Sequence, residues 1–188
     1  MAELVALRVE DPVERWAALG FTVRDGQVQL GGVTLHLGGD GQGITAWTLP
    51  ELDGLPSFDP APAAEADEHP NGAVGLDHVV VSTPDFDRTA AALADAGLEL
   101  RRVRDAGGFR QGFRRVGPVV LELVEAHSAP PGPARFWGLV VIVPDLNALA
   151  DRLGDRLGSV HEAVQSGRHI ATLRRSAGLS PRIAFMDP

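Results

Sequence analysis

Apolar residues along this chain alternate with polar ones or run in short blocks, and Gly and Pro separate the blocks. Residues 79–81 and 139–143 are β-branched and leucine runs suited to buried strands. Each is followed by Pro-Asp and then by apolar residues at helical spacing: Phe86, Ala90 and Leu93 in one case, Leu146, Leu149, Leu153 and Leu157 in the other. These helices are expected to stop near Gly97 and Gly158, and a proline in the first turn costs nothing because its missing N–H would be unpaired there. Three short strand patterns follow each helix: LELRRV, GFRQGFRRVG and PVVLELVEA after the first, SVHEAV, GRHIATLRR and PRIAFMDP after the second.

The two units superimpose at a constant offset, with Pro84 on Pro144, Asp85 on Asp145, Phe86 on Leu146 and Leu93 on Leu153. The pattern therefore predicts an α+β chain of repeated βαβββ modules, one over residues 75–127 and one over 135–188. Residues 1–49 fit the unit more loosely, with the strand ELVALRVEDP, a short helix PVERWAALG, then FTVRDG, QVQLGG and VTLHLGG, and an extra strand GITAWTL. Residues 50–74, containing PSFDPAPAAEADEHPNG, lack apolar periodicity and are expected to form a linker.

Composition narrows the chemistry. The chain has 188 residues, 44% hydrophobic and 22% charged, with a formal net charge of −8. It contains no Cys, Tyr or Lys, which removes disulfides, thiolate metal sites, cysteine nucleophiles, a Tyr acid and a Schiff-base or Walker-type Lys. Any metal must be held by His and carboxylates. Residues 1–75 hold 3 Arg against 12 acids, while 76–188 hold 14 Arg against 13 acids. The acidic balance argues against nucleic acid as a partner. No apolar run approaches the length of a membrane span and the first residues carry no positive leader, so the expectation is a cytoplasmic protein without a membrane partner. The glycines of GGDGQG, residues 38–43, lack a following Lys, Ser or Thr and a helix, so no nucleotide cofactor is expected.

LDHVVVSTPD followed by PVVLELVE, with the partial repeat FWGLVVIVPD followed by PRIAFMDP, resembles the vicinal oxygen chelate superfamily of glyoxalase I, bleomycin-resistance proteins, methylmalonyl-CoA epimerase and extradiol dioxygenases. The resemblance implies paired modules forming a cup-shaped, curved mixed sheet with helices on the outside. It also implies a small molecule in the cup, often over a divalent metal, in a chain that acts alone or as a homodimer. Its metal ligands would fall on His78 of the first strand and Glu122 of the last, with Fe, Mn, Zn or Ni suited to such donors. Glu122 would also serve as base in a metal-assisted lyase or isomerase.

Two readings of this pair stand side by side. His78 and Glu122 could instead bond directly to each other with no metal between them. The third piece places Gly138 and Phe185 at the matching positions, and neither ligates a metal. Aligning GVTLHL with PVVLEL puts His36 at the position of Glu122. If the first two pieces faced each other, His36, His78 and Glu122 would form the two-His-one-carboxylate set of dioxygenases. Other ligand-binding candidates are Gln111, Phe113 and Arg115, which share one strand face, together with Trp137, His169 and Phe185. The functional expectation is a small-molecule protein with an incomplete metal site, the alternative being a metal-free, sequestering protein of the resistance type.

Overall fold

The computed structural model describes residues 2–65 and 68–188; Met1, Ala66 and Asp67 lie outside the described residues, the last two within the expected linker. The strands are β1 (Ala6–Asp11), β2 (Gln27–Leu30), β3 (Val33–Trp47), β4 (Gly75–Thr83), β5 (Arg102–Asp105), β6 (Arg110–Val116), β7 (Val119–Glu125), β8 (Arg135–Ile142), β9 (His161–Glu162), β10 (His169–Thr172) and β11 (Arg182–Met186). The helices are α1 (Val13–Ala18), α2 (Phe86–Asp95) and α3 (Leu146–Leu153). Among the described residues no helix is long and apolar enough to cross a membrane.

The repeated Pro-Asp works as a helix start, one residue out from the expected position. Asp85 and Asp145 are the N-caps, and their carboxylates accept from the backbone N–H groups of Arg88 and Ala148 at 3.0 and 2.8 Å. Pro84 and Pro144 therefore precede the caps instead of entering the first turn. Helix α2 ends before Gly97 as expected, whereas α3 ends at Gly154, whose φ of 52° stops it short of Gly158.

Strands β4 to β11 form one open, curved sheet in the order β5-β6-β7-β4-β8-β11-β10-β9. β4 runs parallel to β7, β8 runs parallel to β11, and β4 and β8 meet antiparallel at the seam between the modules. The second and third pieces thus pair. Helices α2 and α3 lie on the face of this sheet that carries Val79, Val81, Leu121, Leu139, Val141, Ile183 and Phe185, all 1% exposed or less. The opposite, concave face carries the alternate residues.

The first piece forms a smaller sheet, β1-β3-β2. β3 wraps β1 on both sides: Thr34–Gly38 pair parallel to it, while residues 43–47 return antiparallel along its other edge. That arrangement imitates the order β6-β7-β4-β8, with the expected extra strand GITAWTL absorbed as the second half of β3. FTVRDG forms no strand beyond a bridge between Arg24 and Gln27, so this module lacks one of its strands.

The small sheet backs onto the helix-bearing face of the large one. Phe21 stacks on Phe185 at 6.2 Å and Trp47 meets Phe136 edge-on at 5.2 Å, and one apolar core runs through both sheets. The expected linker is largely a packed strap. Leu52, Leu55 and Ala73 are buried, and Asp53 accepts from Arg88 at 3.0 Å and from Thr89. Gln27 holds the carbonyl of Pro62 and the N–H of Ala64 at 3.1 and 2.8 Å. His69 bridges the N–H of Thr22 and the carbonyl of Gln29.

Candidate functional site

The register fixes what the concave face displays, because residues paired across strands point to the same side. Glu122 pairs with Val80 on one side and Phe113 on the other, while His78 pairs with Val120 and Val140. His78 and Val80 are two apart in a regular stretch of β4, so His78 and Glu122 project onto one face from adjacent strands. Gln111, Phe113 and Arg115 of β6 share that face, paired with Val124, Glu122 and Val120.

A chain of polar contacts crosses this floor. Arg104 Nε donates to Gln111 Oε1 at 2.8 Å, and Gln111 Nε2 donates to Glu122 Oε1 at 2.8 Å. Burial pushes the Glu122 carboxyl above its ordinary value, with the charges of His78 and Arg104 acting against that rise. His78 is buried, and its Nδ1 lies 2.5 Å from Oδ2 of Asp77. Arg168 holds the other Asp77 oxygen at 3.2 Å. Burial pushes the Asp77 carboxyl up, but the His78 ring and the Arg168 guanidinium outweigh it and keep the carboxyl below its usual range.

Asp77, Arg104 and Arg168 were not among the sequence candidates. Leu76 pairs with Val141 and His78 with Val140, so Asp77 is the extra residue of a β-bulge with no partner on β8. Simple alternation would have sent it to the face opposite His78. Arg104 carried a readable signal, since it stands across the β5–β6 hairpin from Gln111.

Four other candidates lie elsewhere. Phe185 is 0% exposed and pairs with Val141, so it packs in the core against Phe21 and does not line the cup. The residue that matches Glu122 is Ala184, because the pairing Val80–Glu122 of one module corresponds to Val140–Ala184 of the other. His169 shares the parity of Ala171, whose partner is Phe185, and its ring is engaged by Asp187 at 2.9 Å. Trp137 is the unpaired residue of a bulge between Phe136 and Gly138 and is 54% exposed. His36 belongs to the small sheet, where its ring meets Phe58 edge-on at 5.6 Å. Burial first, then the charge of Arg8, lowers its pKa.

The donor set does not complete a metal centre. Among the described residues no group of three or more His, Asp or Glu side chains is placed to hold an ion. The positions matching His78 and Glu122 in the third piece are Gly138 and Ala184. A Cβ at residue 138 would stand 2.3 Å from the carbonyl oxygen of Arg182, so this backbone admits no side chain there. Two ligands from one half fall short of the three or four that hold a divalent ion.

No protein-family model matches the sequence, and no curated protein matches it. Solved structures do resemble it. A methylmalonyl-CoA epimerase from Mycobacterium tuberculosis superimposes with a TM-score of 0.52 at 21% identity, covering 62% of this chain and 89% of the other. A Streptomyces coelicolor methylmalonyl-CoA epimerase variant, solved in complex with 2-nitronate-propionyl-CoA, gives 0.50 at 17% identity, covering 61% of this chain and 94% of the other. At these identities the likeness is one of fold: the chain shares the α+β fold of these epimerases.

Proposed function

We propose that this chain binds a small molecule on the concave face of the eight-stranded sheet, with His78 and Glu122 touching it directly and no resident metal between them. The observation that carries this reading is the projection of both groups onto one face from adjacent strands, with Gln111 fixing the carboxylate at 2.8 Å. Val120 and Val140, both half-buried, flank the pair with apolar surface, the mix of an apolar floor and a few placed polar groups that suits a small ligand. The binding of 2-nitronate-propionyl-CoA by the Streptomyces coelicolor relative in fold points the same way.

The experiment is a titration of chelator-treated protein with the neutral probe 2-naphthamide, followed by amide NMR. Shifts are expected at Val80, Phe113 and Val140, and Ala184→Trp, which fills the floor, should abolish them. Shifts confined to the small sheet would overturn the reading.

A second reading, proton transfer, is favoured by the raised Glu122 carboxyl, since a base with a pKa nearer neutrality is better matched to its work. Glu122 would take a proton from a carbon beside a carbonyl, leaving an enolate and a carboxylic acid, and the same proton or one from solvent would return. Methylmalonyl-CoA in D2O is the test substrate. Exchange of its α-proton that disappears in Glu122→Gln supports catalysis; exchange unchanged in that variant removes Glu122 as the base. Binding without exchange identifies a sequestering protein.

A further inference from the structure

Read laterally, the register places Phe113, Glu122, Val80, Gly138 and Arg182 in one continuous row across β6, β7, β4, β8 and β11. Glu122 and Arg182 are three strand spacings apart, roughly 14 Å between their backbones. Between them lie one Val side chain and one bare glycine. Gly138 cannot carry a side chain, because a Cβ there would meet the Arg182 backbone at 2.3 Å, so the middle of the row stays low. Ile183 is buried in the core, which sends Arg182, its neighbour on the strand, to the concave side.

Arg182 is half-buried, and among the described residues its guanidinium has no hydrogen-bond or ion-pair partner. This sets it apart from Arg104, Arg110 and Arg168, each engaged by a side chain at 3.2 Å or less. A half-buried cation beside an apolar floor lacks the compensation that an anion supplies, and a guanidinium binds a planar carboxylate through two parallel N–H···O bonds.

We infer that the concave site takes a small carboxylate: its anionic group lies on Arg182, its body over Gly138 and Val80, and its far end at Glu122 and His78. This rests on the small-molecule reading above and adds the charge class of the ligand. The acidic chain as a whole, at −8, would repel such a molecule, so the attraction must be local to this end of the row.

The test compares 2-naphthoate with 2-naphthamide, which have the same shape but differ in charge, and adds 2-naphthyl phosphate, all followed by NMR including the arginine Nε–H signals. 2-Naphthoate is expected to bind more tightly than the amide and to shift the Arg182 Nε–H. Arg182→Gln should weaken the carboxylate about tenfold and leave the amide unchanged, the effect of losing one charge-assisted contact. Arg182→Lys should restore only part of the difference, and the exposed Arg101→Gln should change nothing. Thermal melts establish that each variant is folded.

Equal affinity for carboxylate and amide on the concave face, or no effect of Arg182→Gln, overturns the carboxylate assignment and leaves the small-molecule reading in place. Tighter binding of the phosphate than of the carboxylate overturns it as well. Failure of all three probes to bind the concave face removes both.

Discussion

Gln111 donates a hydrogen bond of 2.8 Å to Glu122 from the neighbouring antiparallel strand, so the buried carboxylate is oriented by an amide and not by a cation. Because burial raises the Glu122 carboxyl above its unfolded value of 4.5, the folded chain keeps that proton to a higher pH than the unfolded chain does. That contribution to stability is complete below the unfolded value and is lost as pH rises through the folded one. Glu122→Gln keeps an oxygen for Gln111 and removes the charge. Its melting temperature should exceed that of the parent at pH 8 and match it near pH 4. A lower melting temperature at pH 8 would show that the carboxylate is stabilised where it sits.

The seam between the modules was legible because Pro84-Asp85 and Pro144-Asp145 repeat with the strands that precede them. The last strands were harder to place. Residue 80 corresponds to 140 but residue 122 corresponds to 184, so the third piece carries two more residues between its first and last strands. Pairing Glu122 with Phe185 instead of Ala184 is a slip of one residue, and on a strand that moves a side chain from the cup to the core. The bulge at Asp77 leaves no trace in an alternation pattern. Nor does composition reveal the strap, which is held by Gln27, Asp53 and His69 from outside or within a Pro-rich segment.

Phe185 and Phe113 offer a direct check on which face is which. Phe185 is fully buried between the sheets, so Phe185→Ala should cost about 3–5 kcal/mol in urea unfolding. Phe113 lies on the concave face and is only half-buried, so Phe113→Ala should cost clearly less while weakening any ligand bound there. Equal costs would contradict the assigned faces.

Gly138 is required by the approach of Arg182 and not by backbone conformation. Gly138→Ala should destabilise by about 1–3 kcal/mol through overpacking, even though alanine ordinarily favours a strand over glycine. Gly32 is the control: a Cβ there would meet only the Pro118 side chain at an ordinary 3.5 Å, and its φ is not positive. Gly32→Ala should be near neutral, and a Gly138→Ala variant as stable as the parent would mean that the two strands separate more easily than this packing allows.

The same bare position predicts how the chain retains metal. With His78 and Glu122 in one half and Gly138 and Ala184 in the other, a first-row divalent ion added to the protein should be lost on dialysis. Metal analysis after dialysis of the parent, His78→Ala and Glu122→Ala reads this out. A stoichiometric ion that survives in the parent and disappears in both variants would restore a metal centre built on that pair.

Away from the cup, Arg110 ties the last residue of β7 to the first turn of α2. It meets Glu125 at 2.8 Å and Asp87 at 2.6 Å, and its hydrogen bonds to Glu125 hold that carboxyl down at about 2. A depressed carboxyl contributes stability that is fully present above its unfolded value, 4.5 here, and is lost as pH falls through the folded one. Glu125→Gln should therefore lower the melting temperature at pH 7, with the gap closing as pH approaches 2. The Arg110 side chain is 37% exposed, so solvent screens the pair and the gap should be modest and should shrink in high salt. A gap that is the same at pH 7 and pH 2 would assign the effect to packing of Glu125 against its neighbours instead of to its charge.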